Sequence, residues 1–421
     1  MKFKIEGGYS LNGEIKVGGS KNEALAIIAA TILINGKTKL TNVPEITDVE
    51  KMLKLLESMG AKVKRNKNKI EIDSSTISST EPDFDLVRCI RASILLIGPL
   101  LARFGKIKIP QPGGCFIGSR PVDTHFKAFE NLGVRIREHP PFYILEAPNG
   151  ISPGKIILEE MSVTATENVI MAASITPGTT EVRLAATEPH VENLILFLNK
   201  AGAKIKGGGT HNLIIEGVKN LSEIEFEISP DPIEAATFAI AGAITKGDIL
   251  IKDINPNYLD MFFLKFKSAG GNFKIIQKNK LADLHIMPAT MFKAINIRTD
   301  IYPGFPTDLQ APMAVLMTQA HGTSRIFETM YEGRLNYLKE LIKMGANVSI
   351  QTPHQALITG PTPLYGKEIT SLDLRAGATL ILAALIAHGT SVINQAEIID
   401  RGYEKIDEKL KSLGAKIERE K

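Results

Sequence analysis

Leu56-Glu57-Ser58-Met59-Gly60-Ala61-Lys62-Val63 is the stretch from which the architecture can be read. Upstream of it, Val49-Glu50-Lys51-Met52-Leu53-Lys54-Leu55-Leu56 gathers its apolar residues on one face of an α-helix. Glycine ends the helix, because the residue after a helix commonly needs a positive φ. A basic strand follows. The same helix–glycine–strand phrase returns around Gly133, Gly202, Gly270, Gly345 and Gly414, at spacings of 68 to 75 residues. Six occurrences of one phrase define a repeat of roughly 70 residues, and such periodicity outranks any local reading.

A second phrase is interleaved with the first. Helices that are apolar nearly all round, such as Thr379-Leu380-Ile381-Leu382-Ala383-Ala384-Leu385-Ile386-Ala387, end at Gly36, Gly105, Gly178, Gly247, Gly322 and Gly389. A helix without a polar face has to be enclosed. Each has a Ser or Asp near its start (Ser20, Asp85, Ser162, Asp231, Asp308, Asp373) that can accept first-turn N–H groups. Each repeat thus holds two helices and about four short strands, with helices inside and sheets outside. The six repeats divide three and three at Pro230-Asp231-Pro232. One domain spans 20–229, and the second comprises 1–19 with 230–421.

Bulk properties exclude several classes. The formal net charge of +4, from 50 Lys+Arg against 46 Asp+Glu, gives no basic field for nucleic acid. Two cysteines, Cys89 and Cys115, make no disulfide framework and no zinc spacing, which points to a reducing, cytoplasmic setting. The longest apolar runs, about 11 residues, fall short of the roughly 20 that span a bilayer, so no membrane role is expected. The opening residues alternate like a strand and lack the apolar core of a signal peptide.

Candidate chemistry sits at the starts of the apolar helices, where N-terminal dipoles favour anions. Gly18-Gly19-Ser20-Lys21-Asn22 offers close backbone approach and a lysine. Arg91 lies in an otherwise apolar helix and must find a partner or water. Pro110-Gln111-Pro112-Gly113-Gly114-Cys115-Phe116-Ile117-Gly118-Ser119-Arg120-Pro121 is a loop whose thiol can deliver a proton at neutral pH. Cys89, by contrast, reads as packing. Tyr302-Pro303-Gly304-Phe305-Pro306-Thr307-Asp308, Asp373-Leu374-Arg375 and Asp400-Arg401-Gly402-Tyr403 supply acid–base groups at comparable places in other repeats.

Together these segments resemble the enolpyruvyl transferase family over essentially the whole chain, and its nucleotide-sugar branch more than its shikimate branch. Residues 18–24, 91–105, 112–123, 305–310, 373–376 and 400–404 carry the likeness. The resemblance implies a two-domain inside-out α/β barrel with the active site in the interdomain cleft. The implied partners are phosphoenolpyruvate and UDP-N-acetylglucosamine. The enolpyruvyl group passes to the sugar 3′-hydroxyl through a tetrahedral ketal, and phosphate leaves, in the first committed step of peptidoglycan synthesis. No metal or other cofactor is implied.

The resemblance also implies residue roles. Cys115 is the proton donor and the point of alkylation by fosfomycin, and Asp308 is the sugar-contacting base. Lys21, Arg120 and Arg401 surround phosphoenolpyruvate, with Asn22 adjacent and Arg375 joining them. Arg91, the turn Arg120-Pro121-Val122-Asp123-Thr124, Ser162, Val163 and Met330 form the nucleotide-sugar site. Pro232, Ala236, Thr164, Met330 and Gly333 depart from the family pattern near the hinge and sugar pocket. The competing expectations are a shikimate-branch transferase and a non-enzymatic sixfold scaffold like a sliding clamp. A clamp would need a basic DNA-facing surface.

Overall fold

The structure is a computed structural model and describes residues 1–113 and 117–420. The first repeated phrase becomes one backbone motif used six times. Gly60, Gly133, Gly202, Gly270, Gly345 and Gly414 all lie in the left-handed region, with φ from 81° to 109°. Around each, the glycine N–H donates to the carbonyl three residues back and the next N–H to the carbonyl five back. Gly60 to Glu57 with Ala61 to Leu56, and Gly414 to Lys411 with Ala415 to Leu410, are the first and last of the set. This double bond satisfies helix carbonyls that would otherwise lack partners. In the second set the left-handed residue before Asp248 is Lys246, not Gly247. Glycine stands at 247 because a Cβ there would lie 1.9 Å from the Leu11 carbonyl oxygen.

The chain forms two compact units, one of residues 1–18, 117–119 and 230–420, the other of 19–113 and 120–229. In the first, three sheets are ordered Glu368–Thr370/Thr390–Asn394/Lys2–Glu6/Lys416–Glu420, Asn272–Gln277/Ala282–Met287/Asp248–Ile254/Asn12–Lys16, and Phe292–Lys293/Ala320–Phe327/Gln355–Gly360/Asn347–Thr352. The helices Pro232–Ile244, Thr307–Thr318 and Leu374–Ile386 pack on one another, and each lies on its own sheet. Their residues are buried almost without exception. In the other unit the sheets are Ile224–Glu227/Lys37–Thr41/Lys69–Asp73/Lys62–Asn66, Lys204–Lys206/Asn212–Gly217/Gly178–Arg183/Lys155–Ile157, and Lys106–Pro110/Phe142–Glu146/Arg135–His139. The strand Lys2–Glu6 runs antiparallel between Thr390–Asn394 and Lys416–Glu420, so the sixth repeat is completed by the first strand of the chain.

The polar residues at the helix starts divide into two kinds. Ser162, Asp231 and Asp373 cap their helices, with side chains that accept first-turn N–H groups. Ser20 makes no side-chain cap bond, and Asp308 lies inside the first turn of a helix that begins after Pro306. Around Asp85 the cap is Asp83, which accepts from Leu86. Arg91 is not inside an α-helix. The helix Phe84–Cys89 stops, Ile90 is extended, and Arg91 opens a 3₁₀ segment that runs to Leu96. The chain stays polar-compatible there because 3₁₀ turns commonly join helix ends. Cys89 is exposed at the end of its helix and is not a packing residue. No helix among the described residues is long and apolar enough to cross a membrane.

One buried side chain joins two core helices of the second unit. Asn168 Oδ1 accepts from the Gly98 N–H at 2.7 Å, and its amide donates to the Ile94 and Thr164 carbonyls at 3.1 and 2.9 Å. Gly98 is in the first turn of Ile97–Phe104, where an N–H has no partner within the helix. The backbones approach so closely that a Cβ on Gly98 would stand 2.3 Å from the Asn168 carbonyl oxygen. Asn168→Ala leaves the Gly98 N–H buried and unpaired, while the Ile94 carbonyl keeps the Ile97 N–H, and is expected to cost about 1–3 kcal/mol. Urea unfolding should show a lower midpoint at unchanged slope.

Candidate active site

In the larger unit the first turn of Thr307–Thr318 presents Asp308 to two arginines. Arg334 bonds one carboxylate oxygen, and Arg375 Nε and Nη2 each lie 2.9 Å from the other. Both guanidiniums are buried, while Asp308 is 27% exposed. Burial, the largest single influence, disfavours charge on both arginines, but Asp308 acting with Asp373 and Glu328 on Arg334, and with Tyr403 and Asp231 on Arg375, together holds both pKa values above the ordinary arginine range. The backbone N–H of Arg375 is itself fixed by the Asp373 cap at 2.8 Å. Its guanidinium lies over the Tyr403 ring, 5.2 Å from the centroid, and the Tyr403 hydroxyl meets Thr237 at 3.0 Å. The result is an oriented carboxylate on a rigid base with one side towards solvent.

The neighbouring strand end is held by Glu328. Fully buried, it accepts from the Thr307 hydroxyl at 2.9 Å and the Met330 N–H at 2.9 Å. Met330 therefore sits two bonds from Asp308's helix start, with its side chain exposed. Gly333 has a steric reason: a Cβ there would lie 2.9 Å from the Ile117 carbonyl carbon and oxygen. Gly333 N–H donates to that carbonyl, and Glu332 accepts from the Ser119 N–H at 2.7 Å. The segment after the cysteine loop is thus fastened on 332–333. Cys115 itself lies outside the described residues. Arg401 is half-buried at the end of the 3₁₀ segment Ala396–Arg401, while its neighbour Asp400 is taken up by Arg419 at 2.6 and 2.9 Å.

In the other unit Lys21 opens the helix Lys21–Ala30 and pairs with the buried Asp48 at 2.8 Å. Asn22 is exposed beside it. Glu23, one residue on, is buried and accepts from Asn193 Nδ2 at 2.7 Å and the Ser229 N–H at 3.0 Å. Gly19 is glycine because a Cβ would lie 1.8 Å from the Asn42 carbonyl oxygen.

A second group in this unit surrounds the start of Val163–Ser174. Arg91 Nη2 donates to the carbonyls of Arg120 at 2.6 Å and Pro121 at 3.2 Å, which shapes the turn ahead of the helix Asp123–Asn131. Thr124 donates to Glu160 at 3.1 Å, and His125 Nε2 meets the Thr164 hydroxyl at 2.8 Å. That bond gives the Thr164 side chain a partner. Pro232 takes the first helical position, where the missing N–H costs nothing, and Ala236 is fully enclosed.

The structure therefore gathers Asp308, Arg375 and Met330 in one unit, and Arg91, Arg120, Pro121, Val122, Asp123, Thr124, Ser162 and Val163 in the other. Lys21 with Asn22 forms a separate group there. Sequence reasoning missed Arg334, Asp48, His125 and Glu328. Arg334 carried the signal that singled out Arg91, a lone arginine beside apolar residues, whereas Asp48 and Glu328 resemble ordinary surface acids.

The EPSP synthase (3-phosphoshikimate 1-carboxyvinyltransferase) family matches residues 5–410. Proteins named UDP-N-acetylglucosamine 1-carboxyvinyltransferase are similar over nearly the full length. That of Helicobacter pylori is 42% identical, covering 99% of this chain and 98% of its own. That of Nitratiruptor is 40% identical, covering 99% of each. Among solved structures, the enolpyruvyl transferase NikO from Streptomyces tendae superposes with a TM-score of 0.89 at 23% identity, covering 99% of this chain and 98% of its own. An EPSP synthase from Acinetobacter baumannii gives 0.77 at 21%, covering 99% of each. The chain is an enzyme of the EPSP synthase family of enolpyruvyl transferases, and within that family it groups with the UDP-N-acetylglucosamine 1-carboxyvinyltransferases. The expected two-domain α/β fold of the family is borne out by the same superpositions.

Two expectations follow from the geometry. Asp308→Asn leaves two buried guanidiniums without the carboxylate they share, and should cost about 3 kcal/mol of stability in urea unfolding, the low end for a buried pair because Asp308 is partly exposed. His125 is held neutral: burial first, then the Arg91 charge, depress its pKa from 6.5 to about 3. As pH falls below about 6.5, the unfolded chain takes up this proton before the folded one. The stability contributed by His125 is complete above pH 6.5 and is lost progressively towards pH 3, at about 1.4 kcal/mol per pH unit. His125→Gln should flatten that acid limb in unfolding measured across pH 4–7.

Proposed function

We propose that the chain transfers the enolpyruvyl group of phosphoenolpyruvate to the 3′-hydroxyl of UDP-N-acetylglucosamine, releasing inorganic phosphate. The observation that carries this is the full-length identity of 40–43% to proteins named for that reaction. The side chains fit it. The acceptor hydroxyl oxygen adds to C2 of phosphoenolpyruvate while a proton is delivered to C3, which gives a tetrahedral ketal. Loss of a proton from the new methyl group and cleavage of the C2–O bond to phosphate restore the vinyl ether.

In this reading Asp308 orients and deprotonates the hydroxyl, and its two arginines fix it in place without a flexible search. Cys115 delivers the proton to C3. Lys21, Asn22, Arg120, Arg375 and Arg401 meet the carboxylate and phosphate of phosphoenolpyruvate, where fixed cations favour the charge that develops on the leaving group. Arg91, 120–124, Ser162, Val163 and Met330 receive the nucleotide sugar. The cytoplasm is the proposed compartment.

Phosphate release from phosphoenolpyruvate should depend on UDP-N-acetylglucosamine and be undetectable with shikimate 3-phosphate. Cys115→Ala should lower it by roughly 10²–10⁴-fold, and fosfomycin should add its mass to the wild type alone. Release with shikimate 3-phosphate in its place would transfer the chain to the other branch.

A further inference from the structure

The reading above puts the acceptor on two segments of one unit, the turn 120–124 and the helix start at 162–163. Each segment runs from irregular backbone into the start of a helix. The turn contains Pro121, and Val122 is the non-helical residue before Asp123–Asn131. The helix start is preceded by an irregular stretch after the strand Lys155–Ile157.

Two side-chain bonds join these segments. His125, in the first turn of its helix, is buried and meets the Thr164 hydroxyl in the first turn of the other at 2.8 Å. One residue earlier on one side and four earlier on the other, Thr124 donates to Glu160 at 3.1 Å. Arg91 closes the arrangement from a third element by holding the Arg120 and Pro121 carbonyls. Ser162 Oγ accepts from the Ala165 N–H of the same helix start, and the Ser162 N–H donates to the Glu160 carbonyl at 2.7 Å. A movement of Thr164 or Glu160 is therefore transmitted to the turn through short, directional contacts.

We infer that Thr164 and Glu160 are positioning residues for the acceptor, acting through His125 and Thr124 to hold the turn 120–124 in register with the helix start at 162–163. The inference rests on the proposed function, since it takes these segments as the acceptor site. Thr164 supplies a hydroxyl to the His125 ring where a glycine would supply none. The Thr164 hydroxyl can donate to the ring nitrogen or accept from it. Arg91 is the charged group that acts on this ring, beside the Val122 backbone. Neutrality of His125 follows from burial and from Arg91.

The test is steady-state kinetics with phosphoenolpyruvate and UDP-N-acetylglucosamine on wild type, Thr164→Val and Thr164→Ser. Valine keeps the shape and removes the hydroxyl; serine keeps the hydroxyl. Thr164→Val should raise KM for the nucleotide sugar roughly fivefold, the worth of one neutral hydrogen bond. KM for phosphoenolpyruvate should stay unchanged, and Thr164→Ser should match the wild type. In Thr164→Val/Glu160→Gln the acceptor KM should rise further. An unchanged acceptor KM in Thr164→Val, or equal rises for both substrates, overturns the inference while the wild type still turns over the nucleotide sugar. A wild type inactive with UDP-N-acetylglucosamine overturns the proposed function and this inference with it.

Discussion

A helix with no polar face must be surrounded, and this constraint organises the molecule. Each unit has helices of that kind whose buried surfaces leave no room for solvent. In the larger unit three of them pack on one another, and each is backed by a sheet. Burial of apolar area contributes most of the driving force, but the same enclosure creates a demand. Every polar group at a helix start inside that packing needs a partner. Asn168 meets the demand at Gly98, Asp231 and Asp373 meet it at their own helices, and Glu328 meets it beside Thr307. The candidate site lies where these obligations concentrate, at helix starts.

The electrostatics of the site follow from the same enclosure. Arg334 and Arg375 are almost fully removed from solvent, and a buried guanidinium is tolerated only with a counter-charge. Asp308 is that counter-charge for both. A residue that could have served as a cap is instead an oriented carboxylate with part of its surface open. Lys21 shows the converse arrangement, a cation held by the buried Asp48. In each pair the buried partner sets the geometry and the more exposed one faces outward.

How much of this the sequence disclosed depends on the range of each interaction. The six glycines after the amphipathic helices were legible because a left-handed residue after a helix is a local need, and the period repeated it. The apolar helices were legible because composition alone identifies a buried helix. Arg375 and Asp308 could be singled out, but their bond could not, since they are 67 residues apart in different repeats. Arg334 is only 26 residues from Asp308, but the intervening helix and strand give no local cue to that pairing. Arg91 was placed in a continuous helix because nothing local marks the break at Ile90, where tertiary packing overrides propensity. Cys89 was read as core from its apolar neighbours, yet in a helix of only six residues those neighbours can turn inward while it faces out.

The strand Lys2–Glu6 lies between strands that begin 388 and 414 residues later in the chain. Ribosomes release residues in order, so the first strand made is among the last to find its neighbours. Until the final repeat emerges, Phe3 and Ile5, both wholly buried in the finished sheet, have no sheet to enter. The larger unit cannot close progressively as it is synthesised, whereas the unit of residues 19–113 and 120–229 has all its strands once Glu227 has appeared. The fold therefore imposes an order of assembly in which the smaller unit can be complete while the larger waits. A circular permutant opened within an exposed loop of the larger unit would start that clock at a different point without changing a single contact of the core.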